Sequence, residues 1–581
     1  MTAGFEVPAR AEVAGDTPGN VFGKDAFILE SRGWSSAAVA CAPKLAALAS
    51  LENVAPPDPV ARVSYKSQGN VLVIAGGDTD RARRCALELA ADLHVTLLAA
   101  DFIAAPAVTS WRGAAASLEG FLGEFTAQVA IEGAPARPAR FDLVLDFSSP
   151  PLLAMRQAPQ GYHAAPADDG TLEQVLDELR ESVGEFEKPR FFAYRENICA
   201  HSRSEITGCN RCIEICSTQA IRADGDHVKV DPHLCMGCGA CATVCPSGAM
   251  SYQYPRVADR GAQVKQLLSA YRQAGGTDAC IVFHDGEAGR SVLAAAAAAG
   301  KGLPARALPL ETWHIASIGL DLLLPAVAFG ASQVVVLAAG DADREYVAAL
   351  REQMAIGQSI LSGLGYSGKH FALVEADDAR ALEAAFRALE PALTAPAPGT
   401  FLLGNDKRTA IEFAVEHLAR HAPAPVDEIA LPAGSPFGEI RVDRDKCTMC
   451  MACVGSCPES ALMDGVDQPL LKFLERNCVQ CGLCEATCPE EAIALSPRLL
   501  LTADVREARV VNRTEPFHCV SCGKAFGTKQ IVQSMLGRLA GHSMFAADGA
   551  LRRLQMCGDC RVVDMMSNKN EVSVLKLGSD S

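Results

Sequence analysis

The sequence predicts a multidomain chain of the α/β plus α+β class, and three observations predict it. The chain has 581 residues, which at roughly 100–200 residues per domain exceeds any single hydrophobic core. Runs rich in Val, Ile and Leu alternate with stretches of helical period in two separate regions, the mark of layered α/β structure. Finally, 20 of the 23 cysteines crowd into three blocks: eight from Cys199 to Cys245, eight from Cys447 to Cys488 and four from Cys519 to Cys560. An apolar fraction of 49% with 21% charged residues excludes a disordered chain. A net charge of −16 without a long basic run argues against nucleic acid as the main partner.

The first α/β region supplies strand candidates at 70–77, 94–100, 128–133 and 141–147. A helix over 78–93 follows the first strand, and a second helix starts with a capping box from Thr171 to Gln174. Its apolar face is Leu172, Val175, Leu176, Leu179 and Val183, with Gly184 as its stop. A Pro-rich stretch, 148–168, separates the two parts. The turn Gly76-Gly77-Asp78 lacks the spacing of a dinucleotide-binding loop. The second region repeats the theme, with strand candidates at 278–285, 305–311, 333–340, 370–377 and 400–405. Ile315–Gly340 is apolar, but Asp321 and Pro325 interrupt it, so it reads as a buried helix followed by a strand and not as a membrane span. Pro-rich segments, 391–398 and 421–436, frame the end of this region.

The chemistry lies in the cysteines. Tight C-x-x-C spacing in a long chain whose first residues, MTAGFEVPAR, lack a basic and apolar leader reads as metal binding in a cytoplasmic protein, not as a disulfide framework. Cys447-x2-Cys450-x2-Cys453-x3-Cys457-Pro458 is followed by Cys478-x2-Cys481-x2-Cys484-x3-Cys488-Pro489. This is the two-cluster ferredoxin pattern, in which the fourth Cys of each run ligates the other cluster. It predicts one [4Fe–4S] cluster on Cys447, Cys450, Cys453 and Cys488, and another on Cys478, Cys481, Cys484 and Cys457. Met449, Met451 and Leu483 can screen them from water.

The first block is a variant. Its second run, Cys235-x2-Cys238-x2-Cys241-x3-Cys245-Pro246, is regular. Its first run is Cys199-x9-Cys209-x2-Cys212-x3-Cys216, with Ser217 where Pro is usual. Crossed pairing predicts a third cluster on Cys235, Cys238, Cys241 and Cys216. The fourth takes Cys209, Cys212 and Cys245, with Cys199 or His201 as its last ligand; a thiolate suits the soft iron–sulfur core better than imidazole, and a three-iron cluster with Cys199 as an ordinary buried Cys stays open. The seven extra residues after Cys199 are expected to form a loop.

The pairs Cys519-x2-Cys522 and Cys557-x2-Cys560 predict a closed S4 site, for zinc or for a rubredoxin-like iron. His518 and His542 read as surface residues. Cys41, Cys85 and Cys280 read as small buried hydrophobes, and Glu490-Glu491 as solvated charge. The resulting domains are an α/β domain (1–190), a variant dicluster ferredoxin domain (191–256), a second α/β domain (257–425), a dicluster ferredoxin domain (426–505) and a zinc-ribbon-like module (506–581). The α/β parts are expected to be Rossmann-like scaffolds.

The stretches CTMCMACVGSCPESALMDG, CVQCGLCEATCPEEAIALSPRLLL, EPFHCVSCGKAFGTK and MCGDCRVVDMM resemble the large 4Fe-4S ferredoxin-type proteins associated with proteobacterial formate dehydrogenases. EFEKPRFFAYRENICAHSRSEITGCNRCIEICSTQAI and HLCMGCGACATVCPSGAMSY fit the same group. The resemblance covers about 185–256 and 438–565. It implies single-electron transfer to or from a redox partner, formate dehydrogenase, by a redox-complex subunit more than by a stand-alone enzyme. Two alternatives stay open: a non-catalytic maturation or scaffold factor for that dehydrogenase, and a reductase with a flavin or nicotinamide site in an α/β domain.

Overall fold

The computed structural model describes residues 38–567 apart from 102–105, 133–134, 300–301, 341, 466–467, 543–544 and 546–548. The chain divides into two compact units. The first comprises residues up to 196, 211–224 and 228–423; the second comprises 197–210, 225–227 and residues from 424 onward.

The first unit holds two larger sheets besides two-stranded pairs such as Arg62–Ser67 with Gly184–Pro189 and Phe192–Tyr194 with Met250–Tyr252. The larger has seven strands, in the spatial order Arg137–Phe141, Phe125–Ile131, Thr109–Glu119, His94–Ala99, Asn70–Ile74, Leu143–Asp146 and Tyr162–Ala164. From Thr109–Glu119 onward the pairing is parallel. The other two strands are antiparallel additions. Helix Thr79–Leu89 buries Ala82, Cys85, Ala86 and Leu89 on this sheet, and helix Asp169–Glu181 buries Leu172, Val175, Leu176 and Leu179 in the same cluster. Each fully buried Leu contributes roughly 2 kcal/mol by leaving water.

Three expectations change here. Of the segment 128–133, residues up to Ile131 pair antiparallel as part of Phe125–Ile131, because the strand before it turns back on itself through the tight turn at Gly120 and Gly123, while residue 133 lies outside the described residues. Asp168, not Thr171, caps the second helix: its carboxylate accepts from the Thr171 N–H at 2.7 Å, and a carboxylate is also the better partner for a helix N-terminus. The Pro-rich stretch before it contains the edge strand Tyr162–Ala164, anchored by the Tyr162 hydroxyl donating to buried Asp146 at 2.7 Å.

The second sheet is wholly parallel, in the order Ala307–Thr312, Cys280–Asp285, Gln333–Ala338 and Phe371–Glu375. That is the 2-1-3-4 order of doubly wound sheets. Its strands are buried on both faces, which is why they read as continuous apolar runs. Every residue of helix Leu320–Ala328 is buried, including Asp321 and Pro325. Residues 400–405 form no strand. Leu402 is exposed, while Phe401 packs at a tilt against Phe329 with ring centroids 4.9 Å apart, so side-chain packing and not a ladder fixes this segment. The Cys41 side chain lies outside the described residues, whereas Cys85 and Cys280 are buried.

The second unit has two small antiparallel sheets: Glu428–Ala430, Ile493–Leu500 and Gly438–Val442 in one, Leu462–Asp464, Leu470–Phe473 and Arg509–Arg513 in the other. Buried Glu475 ties them together. It accepts from Arg498 at 2.8 Å and from Arg509 at 2.6 Å, and both arginines also reach Glu439, at 3.0 and 2.9 Å. The insertion after Cys199 is a hairpin and not an open loop: Ser202–Arg203 pairs with Ile206–Thr207. Ser204 and Glu205 between them both take positive φ, the turn that suits the twist of a two-residue hairpin. The hairpin Pro516–His518/Ala525–Thr528 and the helices Lys529–Leu539, Ala550–Arg553 and Gly558–Ser567 close the described chain. Among the described residues no helix is long and apolar enough to cross a membrane.

Candidate metal centres

Cysteines from paired runs converge on three cavities. In the second unit, Cys457, Cys478, Cys481 and Cys484 line one cavity, and Cys447, Cys450, Cys453 and Cys488 line another. In the first unit, Cys216, Cys235, Cys238 and Cys241 line the third. Each cavity therefore takes three thiols from one run and the fourth from the other.

The same backbone turn builds all three. The second and fourth residues after the leading Cys are left-handed in each run: Met449 and Met451, Gln480 and Gly482, Gly237 and Gly239. This coil turns three thiols inward, and a five-residue helix then carries the third Cys. At Gly237 and Gly239 the glycine is also required by space. A Cβ would come within 2.6 Å of the Phe191 ring and of Ser317 respectively. The short run beginning at Cys209 has no such turn; no residue from 206 to 212 has positive φ.

The remaining cysteines of the variant block are divided. Cys212 and Cys245 belong to the first unit, whereas Cys199, His201 and Cys209 belong to the second. Cys199 and His201 are buried. The His201 Nδ1 lies 3.2 Å from the Cys209 carbonyl, and the Cys209 N–H donates to the Ala200 carbonyl at 2.9 Å. Within the same unit, Gly208 sits on Leu483, where a Cβ would approach its Cγ to 2.6 Å.

The cavities are apolar. Met449 and Met451 line the one with Cys450, and Leu483 lines the one with Cys481. Burial pushes the thiols of Cys235, Cys453 and Cys481 up to about 12. Bare, they hold their protons; a metal beside them deprotonates them outright. Backbone N–H groups already point at several sulfurs, Ala461 at Cys457 (3.2 Å), Ala492 at Cys488 (3.3 Å) and Met250 at Cys245 (3.4 Å). The Gln480 amide donates to Cys478 at 3.2 Å. Cys450 is exposed, so its cavity opens to solvent. Glu490 is not free solvated charge: it lines that cavity and pairs with Arg538.

At the C-terminal end, one atom each from Cys519, Cys522, Cys557 and Cys560 lies within 4.8 Å of the others, the donor set of a tetrahedral metal. Cys519 accepts from the N–H groups of Cys557 at 3.3 Å and Ser521 at 3.4 Å. Desolvation opposes ionisation there, but N–H donation from Cys557, Cys522 and Ser521 wins and holds Cys519 down to about 6. His518 and His542 are exposed.

Tyr346, Ser217, Lys188 and Lys407 also touch this machinery and were not legible as site residues. Lys188 Nζ donates to the carbonyls of His233 (2.6 Å) and Cys235 (2.8 Å), and Lys407 Nζ to those of Ala242 (2.9 Å) and Thr243 (2.6 Å). The one signal was Ser217 in the place of a proline.

These turns and thiol sets define two iron–sulfur modules of the ferredoxin type. Comparison with known families agrees: residues 207–249 and 439–489 each match the 4Fe-4S dicluster domain. A 7Fe ferredoxin of Hydrogenibacillus schlegelii is 38% identical over 42 residues, 7% of this chain and 54% of that protein. Hydrogenase-4 component A of Escherichia coli is 38% identical over 52 residues, 9% of this chain and 25% of that protein. Indolepyruvate oxidoreductase subunit IorA of Pyrococcus horikoshii is 46% identical over 50 residues, 8% of each chain. The chain thus spans from 8% to 54% of the lengths of these relatives.

Proposed function

We propose that the chain is an iron–sulfur electron-transfer protein with four [4Fe–4S] clusters and one zinc, passing single electrons to or from a redox enzyme, formate dehydrogenase. The observation that carries this reading is the three cavities, each lined by four cysteines in crossed combination. Thiolates of Cys447, Cys450, Cys453 and Cys488 hold one cluster, Cys457, Cys478, Cys481 and Cys484 the second, and Cys216, Cys235, Cys238 and Cys241 the third. Spacing alone assigns Cys209, Cys212 and Cys245, with Cys199 in preference to His201, to the fourth. Bound clusters supply reversible one-electron chemistry. The chain's own residues exclude water, aim N–H groups at the sulfurs and fix the thiolates. Cys519, Cys522, Cys557 and Cys560 hold zinc as a structural knot.

Subunits of redox enzymes among the relatives support a redox partner; the choice of formate dehydrogenase rests on the sequence resemblance. Anaerobically prepared protein should carry about 16 iron and one zinc per chain, from four cubanes and one S4 site. Formate with the dehydrogenase should reduce it quickly. Full iron content without formate-driven reduction would leave the clusters and reject the partner. About 8 iron would reject one dicluster assignment.

A further inference from the structure

Besides the Thr218 hydroxyl, 3.7 Å from the Cys216 sulfur, a tyrosine hydroxyl stands close to the cysteines of the first unit's cavity. Tyr346 lies on helix Arg344–Gly363, whose N-terminus is capped by Asp343 accepting from the Glu345 N–H at 2.8 Å. The Tyr346 ring meets His314 edge-on at 5.4 Å and carries the Arg156 guanidinium at 5.8 Å. Its hydroxyl is therefore held in place from several sides. It donates to the Ser217 Oγ at 2.6 Å, and the side chain packs against Cys238 and Cys241. Ser217 in turn donates to the Gln157 Oε1 at 3.2 Å.

Ser217 occupies the position after Cys216 where the other three runs have Pro246, Pro458 and Pro489. A proline there would offer Tyr346 nothing, whereas a serine hydroxyl can both accept from it and donate to it. The departure from the pattern and the buried hydroxyl thus explain one another. The ferredoxin module of the second unit has no counterpart, because all eight tyrosines precede residue 367.

We propose that Tyr346 is a positioning residue for electron transfer that raises the reduction potential of the cluster on Cys216, Cys235, Cys238 and Cys241, with Ser217 retained to hold its hydroxyl. The proposal rests on the four-cluster reading. Adding an electron places more negative charge on the sulfurs, so a hydroxyl hydrogen on Cys238 stabilises the reduced state more than the oxidised one. Tyr346 has one hydrogen and two acceptors, Ser217 and Cys238. Once Cys238 is an iron-bound thiolate, the charge-assisted bond to sulfur is the stronger. Ser217 then turns its own hydrogen toward the Tyr346 oxygen. Lys188, whose Nζ donates to the Cys235 carbonyl, adds to the same effect, although Asp231 stands near it as a counter-charge. This cluster becomes the preferred resting place for an electron entering the chain.

The test is a redox titration of the intact holoprotein, followed by electron paramagnetic resonance, for wild type, Tyr346→Phe, Ser217→Ala and the double variant. Tyr346→Phe keeps the ring and removes only the hydroxyl. It should lower one midpoint by about tenfold in the reduction equilibrium, leaving the other three clusters and the iron content unchanged. Ser217→Ala leaves sulfur as the sole acceptor and should raise that same midpoint, an effect that vanishes in the double variant. An exchangeable proton coupled to this cluster should be present in wild type and absent in Tyr346→Phe. A fully loaded Tyr346→Phe protein with all four midpoints unchanged overturns the proposal. If that variant loses iron, an unshifted midpoint in Ser217→Ala overturns it instead. A wild-type protein without the cluster signal would condemn the cluster reading and not the role of Tyr346.

Discussion

Replacing Cys557 by Ser should unfold the C-terminal module while leaving the iron centres loaded. Among the described residues of 516–567, the buried apolar side chains besides the cysteines are Val532 and Met556, with Phe526 half-buried against Cys519, Met556 and Cys557. At roughly 1.5–3 kcal/mol each, these three supply about 6 kcal/mol. A structural zinc on thiolates contributes an apparent 10–16 kcal/mol, so the metal is the larger of the two contributions. Cys557 matters twice, since its N–H also donates to Cys519 at 3.3 Å. The variant should lose zinc, and trypsin should then cut at Lys524, Lys529, Arg538 or Arg561, sites the wild type protects. Amide exchange over 516–567 should rise at least a hundredfold, consistent with loss of several kcal/mol. Fragment masses, metal analysis and exchange read these three effects together. A zinc-free variant with unchanged protease resistance and exchange would refute the reasoning, since the module would then be held by packing alone. Iron in place of zinc in the wild type would change the metal and leave the argument standing.

Glu475→Gln should destabilise the second unit by about 2 kcal/mol, below the cost of an orphaned buried charge because Arg498 and Arg509 keep Glu439; anaerobic urea unfolding followed by circular dichroism checks this. Burial pushes Glu475 up, yet the two arginines hold it below the usual carboxylate range. Its contribution is therefore present above about pH 4.5 and is lost as pH falls through its folded value, a slope the Gln variant should lack. His314 is held neutral by burial, lowered to about 4, and its Nδ1 accepts from the Ala316 N–H at 3.1 Å, which a protonated ring could not do. The unfolded state binds the proton first, so stability of the first unit should fall by ~2 kcal/mol as pH drops from about 6.5 toward 4, and His314→Asn should flatten that slope in urea titrations at each pH. Electron exchange with the partner enzyme should slow as salt rises, since the chain's −16 charge steers a basic surface toward it. Stopped-flow rates that stay flat from low to high salt would favour a permanent complex.

The grouping of cysteines around the three cavities was readable because their spacing is a local property: three thiols, two residues apart, turn to one side whatever surrounds them. The parallel strands were readable for a similar reason, since burial on both faces writes itself as an unbroken apolar run. The strand Thr109–Glu119 was not, because most of its residues are exposed or half-buried and Gly113 and three alanines blur the alternation. At 400–405 the apolar run misled, because Phe401 is fixed by aromatic packing and Leu402 faces water. The insertion after Cys199 reads as a loop until its Ser204-Glu205 turn is seen to be left-handed at both residues. Asp168 outcompetes Thr171 as a cap through charge, which spacing alone does not weigh. Lys188, Tyr346 and Lys407 lie far along the chain from the carbonyls and sulfurs they touch, so no window of sequence could join them.

Those long-range partners say what the second parallel sheet contributes to the first unit. Its last strands are followed by the helices that bring Tyr346 and Lys407 to the cysteine-bearing segment, while Thr243 Oγ1 donates to the Ala316 carbonyl at 2.7 Å. Ser317 meanwhile closes on Gly239. A small dicluster ferredoxin has only its own turns with which to shape the surroundings of its sulfurs. Here the layer adds a buried hydroxyl, an ammonium group and a close steric wall, all on rigid elements. Potential is set by charge, hydrogen bonds to sulfur and access of water. A sheet that supplies all three would act on the electron through the surroundings of the sulfurs. On this argument the α/β layer belongs to the electron-transfer apparatus itself, and substitutions on the helices facing Cys238 and Cys241 should move potentials before they move stability.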